Sequence, residues 1–157
     1  MTVDLKQITK TFRTPLQLNA KPGERIMILT DTKMDQDLWR GLMAAANELG
    51  MEPLVTIMNP RDTHSTNPPE TFYNAALDSG TDLCIYLTST AMAHSTLTDA
   101  MIDNGKRFVL MEELTPAMLG PGAGLHQAFC GDDLGAMHVA GEFGDVVGRG
   151  IDNQLFR

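Results

Sequence analysis

The 157-residue sequence has little cysteine, few aromatic residues and a deficit of positive charge. Its two cysteines, Cys84 and Cys130, are too few for the disulfide framework of a secreted domain, so the sequence predicts a reducing, cytoplasmic setting. Twelve Lys and Arg residues stand against 20 Asp and Glu residues, which gives a formal net charge of −8. Phosphate repels a chain of this sign, and we therefore expect no nucleic acid and no anionic membrane as partners.

Long apolar runs are also missing. No run approaches the ~20 apolar residues that a membrane-spanning helix needs. The N-terminus is mixed and polar, and it lacks the basic start and the apolar stretch of a secretory signal. We therefore expect a cytoplasmic protein without a membrane anchor.

The glycine motifs that hold nucleotides are absent as well. A dinucleotide site needs G-x-G-x-x-G directly after the first strand, but the closest glycine cluster, at Gly120, Gly122 and Gly124, comes late in the chain. The sequence contains neither G-K-[ST] nor G-x-S-x-G. These absences exclude the common phosphate-binding loops and the nucleophile elbow of serine hydrolases.

Two pairs of residues have the spacing of metal ligands, but neither pair has a third ligand. His138 and Glu142 stand four residues apart on a helix predicted from about Asp132, and His126 stands four residues before Cys130. A zinc site needs at least three protein ligands, and spacing fixes no third ligand for either pair. We therefore expect no metal or other cofactor in this chain by itself.

The sequence does contain four short apolar runs, at residues 25–30, 53–58, 82–87 and 107–111. Continuous apolarity without alternation is typical of strands that are buried on both faces of a parallel sheet. Successive runs start 25 to 29 residues apart, the length of one βα unit. Residues 1–157 are thus predicted to form a single α/β domain: a three-layer, doubly wound, Rossmann-like and mostly parallel sheet of at least four strands.

Periodic apolar positions between these runs predict the helices. Asp35 is a suitable N-cap for the first of them, and Gly50 suits its left-handed C-terminal residue. The predicted helical segments are Val3–Leu18, Asp35–Leu49, Asn67 to Gly80, Thr90 to Asn104, a short turn from Thr115-Pro116, and a last helix from near Asp132.

Ligands of doubly wound sheets bind beyond the carboxyl ends of the strands, which selects a small set of polar residues. The residues that we expect to face a ligand there are Asp31, Thr88, Ser89, Thr90, His94 and Glu112. The hydroxyls of the stretch from Thr88 to Ser95 are also good helix caps, and the pattern favours that alternative. Asp31 lacks the second aspartate of a phosphotransfer site, because Lys33 occupies that position. No residue is assigned a catalytic role.

Five segments between about residues 15 and 120 run in the order and spacing of a known lobe. They are K-P-G-E-R at 21–25 leading into I-M-I-L-T-D, A-A-A-N-E-L-G at 44–50, T-S-T at 88–90 with His94-Ser95, D-N-G-K-R at 103–107, and M-E-E-L-T-P-A-M-L at 111–119. Together they resemble the N-terminal domain of the aminopeptidase T family, the thermophilic metalloproteases. The related 2,5-dihydroxypyridine 5,6-dioxygenases share this lobe.

The resemblance implies a place for this chain within a longer protein. The metal ligands of that family lie in a C-terminal domain, and this sequence stops at Arg157, about where that domain would begin. The chain would then be the non-catalytic N-terminal lobe of a two-domain enzyme, a leucyl aminopeptidase or a ring-cleaving dioxygenase. A divalent metal (Zn, Mn, Co or Fe) is expected only in the full-length enzyme. The lobe would supply a wall of the cleft and an association surface, and whether it is itself an enzyme stays open.

Two alternatives remain beside this interpretation. One is a free-standing α/β module that binds a small polar ligand at the strand carboxyl ends, and the other is a purely structural oligomerisation domain. The final stretch from Phe143 to Phe156 is rich in apolar residues, which indicates a surface that meets a partner. We expect a homo-oligomer, most simply a two-fold dimer, and contact with the missing C-terminal domain or a partner subunit.

Overall fold

A computed structural model describes residues 3–120 and, for its backbone, the strand at 138–140. The elements are α1 (Leu5–Asn19), β1 (Arg25–Asp31), α2 (Gln36–Glu48), β2 (Glu52–Met58), α3 (Glu70–Leu77), β3 (Leu83–Leu87), α4 (Thr96–Asp103), β4 (Arg107–Leu110), a 3₁₀ turn (Pro116–Leu119) and β5 (His138–Ala140). Each of the four predicted strands is present, with bounds that differ from the prediction by at most one residue.

The strands form one sheet in the order β2-β1-β3-β4-β5. The first four strands of this order are parallel to one another, and β5 pairs antiparallel with β4. The chain leaves β1 through α2 to reach β2, and it then crosses through α3 to β3 on the other side of β1. The predicted doubly wound α/β fold is therefore confirmed, and its strand order reverses between β1 and β3.

Helices cover both faces of the sheet, and strand side chains alternate between the two cores. Ile28 and Ile85 belong to the core under α1 and α2, whereas Leu29 and Tyr86 belong to the core under α3 and α4. Tyr86 also stacks on Phe108, with 6.0 Å between ring centroids. All five residues of β3 are buried, which explains why its sequence shows no polar alternation.

Helix α1 extends through the proline at position 15 and packs tightly on α2. Asn19 donates a side-chain hydrogen bond of 2.8 Å to the Pro15 carbonyl and so satisfies an acceptor in the last turn. A Cβ at Gly41 of α2 would lie 2.5 Å from Cγ2 of Ile8, so this close approach of the two helices requires glycine. Within the described residues, no helix is long and apolar enough to cross a membrane.

Helix α4 begins six residues later than predicted. Its N-cap is Ser95, whose Oγ accepts a hydrogen bond from the Thr98 N–H. Residues 89–94 form a loop instead, because Met92 is held by contacts that a helix would break. The Met92 N–H donates to the Glu112 carboxylate, and its carbonyl accepts from the Thr98 hydroxyl at 2.9 Å.

The last predicted helix, from near Asp132, is wrong at the segment that the structure describes. His138–Ala140 is a strand instead, and it pairs antiparallel with β4. The helix predicted behind the His138–Glu142 pair is therefore absent at His138, and Glu142 lies outside the described residues. The His126–Cys130 pair and the glycines after residue 120 lie outside the described residues.

Cys84 lies in the middle of β3 and is a free, fully buried thiol. Burial raises the pKa of this thiol to about 12, against a small opposing effect of the Lys106 charge. A thiol with this pKa carries almost no thiolate near neutral pH, so Cys84 is unreactive in the folded chain, as its apolar surroundings in the sequence predict.

Candidate functional site

The reversal of strand order between β1 and β3 marks the crevice where doubly wound sheets bind ligands. Its walls are the carboxyl ends of these two strands and the segment that follows β4. We call this set of residues the carboxyl edge: Thr30, Asp31, Thr88, Ser89, Thr90 and Glu112. The prediction that these positions lie together rests on parallel pairing, and that pairing is present.

Asp31 joins the ends of β1 and β3. Only 1% of this residue is exposed. One carboxylate oxygen accepts from the Lys33 N–H at 2.9 Å, and the other accepts from the Ser89 N–H at 2.7 Å. Hydrogen bonds from backbone N–H groups stabilise a buried carboxylate, so Asp31 is held as a fixed acceptor at the base of the crevice.

The helix-cap alternative is correct for Ser95, which caps α4, and wrong for the hydroxyls of residues 88–90. The Thr88 hydroxyl donates to the Thr90 carbonyl at 2.8 Å and shapes the loop. The hydroxyls of Ser89 and Thr90 are buried without a hydrogen-bond partner, and so is the hydroxyl of Thr30 at the end of β1. Three buried hydroxyls without a partner thus lie at one edge of the sheet, and such groups need a water or a ligand to satisfy them.

Glu112 lies one strand away, on an extension of β4. The Met111 and Glu113 N–H groups donate to the carbonyls of Tyr86 and Thr88 at 2.8 Å each, so the parallel ladder continues past β4. The residue after Glu112, Glu113, has a left-handed φ of 57° and ends this extension. The Glu112 side chain is thereby directed beneath the 89–94 loop.

The Glu112 carboxyl is 8% exposed and is held by the Met92 N–H. Its pKa is raised to about 7, mainly because burial disfavours the carboxylate. The negative charge of Glu113 raises it further, whereas the hydrogen bond from Met92 lowers it. Glu112 can therefore gain or lose a proton near neutral pH, which is the property required of a general acid or base.

His94 is exposed on the loop that follows β3, two residues beyond Met92. The structure thus assembles Asp31, Ser89 and Glu112 around the crevice, whereas His94 is placed on the solvent side of the loop.

Sequence reasoning missed the contribution of the loop after β2. His64 Nδ1 accepts from the Ala91 N–H at 2.9 Å, and the Ser65 N–H donates to the Ala91 carbonyl at 2.7 Å. Asn67, where the helix before β3 is predicted to begin, instead accepts from the Leu97 N–H and donates to the Thr96 hydroxyl. The loops after β2 and β3 therefore lock together, a contact that the shared carboxyl ends of parallel strands could have indicated.

No three His, Cys, Asp or Glu side chains in the described part of the chain are grouped closely enough to hold a metal ion. A cleft of about 620 Å³ lies at the opposite end of the sheet, between α3 and the amino ends of β1 and β2. Its floor is apolar and includes Met27 and Leu54, and Arg25, Glu52 and Asp78 stand at its rim. This cleft shares no lining residue with the carboxyl edge.

No protein-family model and no curated protein matches the sequence. Among solved structures, the fold is similar to that of a 2,5-dihydroxypyridine dioxygenase from Pseudomonas putida KT2440, with a TM-score of 0.58 and 17% identity over 76% of this chain and 39% of that one. A methionine aminotransferase from Escherichia coli is more distant, with a TM-score of 0.42 and 13% identity over 74% of this chain and 33% of that one. The first similarity supports the fold alone. The chain spans about two fifths of the dioxygenase's length.

Proposed function

We propose that this chain is the N-terminal α/β lobe of a two-domain, metal-dependent enzyme that resembles aminopeptidase T or 2,5-dihydroxypyridine 5,6-dioxygenase. The observation that carries the proposal is the fold similarity, which covers 76% of this chain but only 39% of the dioxygenase. A lobe of that relative size leaves room in the enzyme for a second domain. The described residues offer no three-ligand group, so the metal would be held by residues outside them.

In this proposal the carboxyl edge is the wall of the cleft that faces the substrate. The metal would supply Lewis-acid or redox chemistry at the scissile bond from the other domain. This lobe would contribute hydrogen bonds from Ser89 and Thr90 and a proton at Glu112. Asp31 would keep the two strand ends in register and so hold the hydroxyls in place. The same lobe would carry a surface for association.

The test uses the longest polypeptide that the natural gene encodes, assayed for hydrolysis of leucine amide and for ring cleavage of 2,5-dihydroxypyridine. Removing one substrate hydrogen bond should raise KM about tenfold, so we expect that effect for Ser89→Ala. Ser79→Ala, an exposed serine at the opposite end of the sheet, is the matched control and should leave KM unchanged. Equal KM values for both variants, or neither activity in the full polypeptide, would contradict the proposal.

A second candidate is favoured by the three unpaired hydroxyls. A free-standing module could bind a small polar ligand at the carboxyl edge without a second domain. A ligand at 100 times its Kd stabilises the fold by about 2.7 kcal/mol, which raises Tm by about 5 to 10 °C. We would test the 157-residue chain with sugars, polyols, amino acids and small carboxylates. A shift that Ser89→Ala abolishes and Ser79→Ala retains supports the module, and no shift with any compound refutes it.

A further inference from the structure

The free edge of the sheet at β2 exposes apolar side chains on both faces. Leu54 is 57% exposed and Ile57 is 50% exposed, although they point to opposite sides of the strand. From Pro53 to Met58 the strand carries no charge. Soluble proteins commonly protect an edge strand with charged residues, proline, bulges or a covering segment. Within the described residues, Glu52 and Pro53 protect only the start of β2, and residues 54–58 form an uncharged edge that a second strand can cover.

The backbone of β2 shows which hydrogen-bonding groups point outward. The Glu52 N–H donates to the Glu24 carbonyl at 2.9 Å, and the Met58 carbonyl accepts from the Thr32 N–H at 3.1 Å. In a parallel ladder every second residue faces the neighbouring strand, so even-numbered residues of β2 face β1. The odd-numbered residues therefore direct their main-chain groups outward. Pro53, which has no N–H to donate, fits this assignment because it occupies an outward position.

We infer that β2 pairs antiparallel with β2 of a second copy of this chain, around a two-fold axis at Val55. This register overlaps all seven residues of the strand, so that 52 faces 58, 53 faces 57 and 54 faces 56. Val55 exchanges two hydrogen bonds with Val55 of the second copy, and each Ile57 N–H donates to the opposite Pro53 carbonyl. The Ile57 carbonyl receives no hydrogen bond in return, because Pro53 has no N–H, so the ladder ends at this pair. The two sheets become one sheet that runs through the dimer.

Side-chain chemistry matches this self-pairing. On one face Val55 lies beside its own counterpart and Ile57 lies beside Pro53, whereas on the other face Leu54 lies beside Thr56. Glu52, the single charged residue of the strand, faces the uncharged Met58. No like charges meet in this register, even though the chain carries a net charge of −8.

The inference rests on the association surface of the proposed function and not on its cleft. The test is light scattering of the intact chain over a dilution series, where the wild type should approach twice 17.1 kDa. Ile57→Lys would bury a charge next to the partner strand and should weaken association by more than about 100-fold. Ile102→Lys is the matched control: Ile102 is 56% exposed on α4 and lies away from β2, so this variant should remain dimeric.

Proline substitutions test the assigned direction of the backbone. Val55→Pro removes an N–H that points outward, so the monomer fold should survive while association weakens by about 30-fold, for two lost hydrogen bonds. Thr56→Pro removes an N–H that points to β1, so it should destabilise the monomer instead. Hydrogen exchange at Val55 and Ile57 completes the test, because both amides should become protected only as the dimer forms.

Three outcomes would overturn the inference. A dimer that Ile57→Lys and Val55→Pro leave intact would place the interface elsewhere. A monomer with protected Val55 and Ile57 amides would mean that residues 141–157 or another segment of the same chain covers β2. A monomer with unprotected amides would mean that the edge is uncovered. If Ile57→Lys is monomeric and still binds substrate or ligand normally, the interface is supported independently of the proposed cleft.

Discussion

The carboxyl edge and the β2 edge of the same sheet both depart from the usual rule that polar side chains are exposed and apolar side chains are buried. At the carboxyl edge, polar groups such as Asp31 and Glu112 are buried, whereas at β2 the apolar Leu54 and Ile57 are exposed. Burying a carboxylate and exposing a large apolar group both lower the stability of an isolated domain. The comparison indicates that neither region is fully explained by folding. The first has the features of a ligand site, and the second has those of a protein interface.

The largest effect on stability should come from Asp31→Ala. The change leaves two backbone N–H groups without their charged acceptor, at Lys33 and Ser89, so we expect a loss of about 3 kcal/mol in urea denaturation. Asp35→Ala is the control, because the exposed Asp35 caps α2 through one bond to Asp37 and should lose only about 1 kcal/mol. Equal losses of unfolding free energy for the two variants would show that the burial of Asp31 does not increase the cost of removing its carboxylate.

The next effect is a dependence of stability on pH through Glu112. Its pKa is raised from 4.5 to about 7 in the folded chain, so the folded state holds this proton more tightly than the unfolded state does. Stability from this group is full below pH 4.5 and is lost as the pH rises through 7, by about 3 kcal/mol in total. Glu112→Gln should flatten that slope, and the exposed neighbour variant Glu113→Gln should keep most of it. A wild-type stability that rises between pH 5 and 8 would have the wrong sign.

Thr30→Val should give a smaller effect of the opposite sign. The Thr30 hydroxyl is buried without a partner, so replacing it with a methyl group of similar shape should stabilise the fold by about 1 kcal/mol. Thr9→Val is the matched control, since the buried Thr9 hydroxyl donates to the Leu5 carbonyl at 2.8 Å and should not gain stability on removal. If Thr30→Val destabilises the chain, a bound water or ligand satisfies that hydroxyl, which would strengthen the case for a binding site.

The smallest effect is expected at β2. Leu54→Ser in the Val55→Pro background should change the free energy of unfolding by no more than about 0.5 kcal/mol, because Leu54 is exposed in the monomer. Leu38→Ala, at a fully buried leucine of α2, should cost about 2 to 5 kcal/mol in the same assay. A large loss for Leu54→Ser would mean that Leu54 packs within its own chain, and the contrast between the two edges would fail.

The strands could be predicted because each is a continuous apolar run buried on both faces, as β3 shows. The position of the candidate site followed from one geometric rule, that parallel strands end together. The start of α4 could not be predicted, because Ser95 and Thr90 are equally suitable caps in isolation. Only the contact of Met92 with Glu112, from a distant strand, decides between them.

Other features depend on contacts between residues that are far apart in the sequence. Asn67 precedes α3 and has good capping chemistry, yet it accepts from the Leu97 N–H in the first turn of α4, because the loop after β2 crosses to that helix. The strand at His138–Ala140 forms on β4 although its own sequence carries a helical pattern. Burial of the hydroxyls at the carboxyl edge likewise depends on how the loops lock together. A local pattern identifies the residue types there, and only the assembled chain sets their surroundings.

The rate at which a reagent labels the buried thiol of Cys84 measures how often the folded chain opens. Because the Cys84 side chain packs in the core under α3 and α4, its sulfur meets solvent only when that core opens. A thiol reagent in excess, applied to a Cys130→Ser variant, should therefore label Cys84 at the rate at which the core opens. Mutations at either edge that merely loosen a loop would leave this labelling rate unchanged, and those that destabilise the whole sheet would accelerate it.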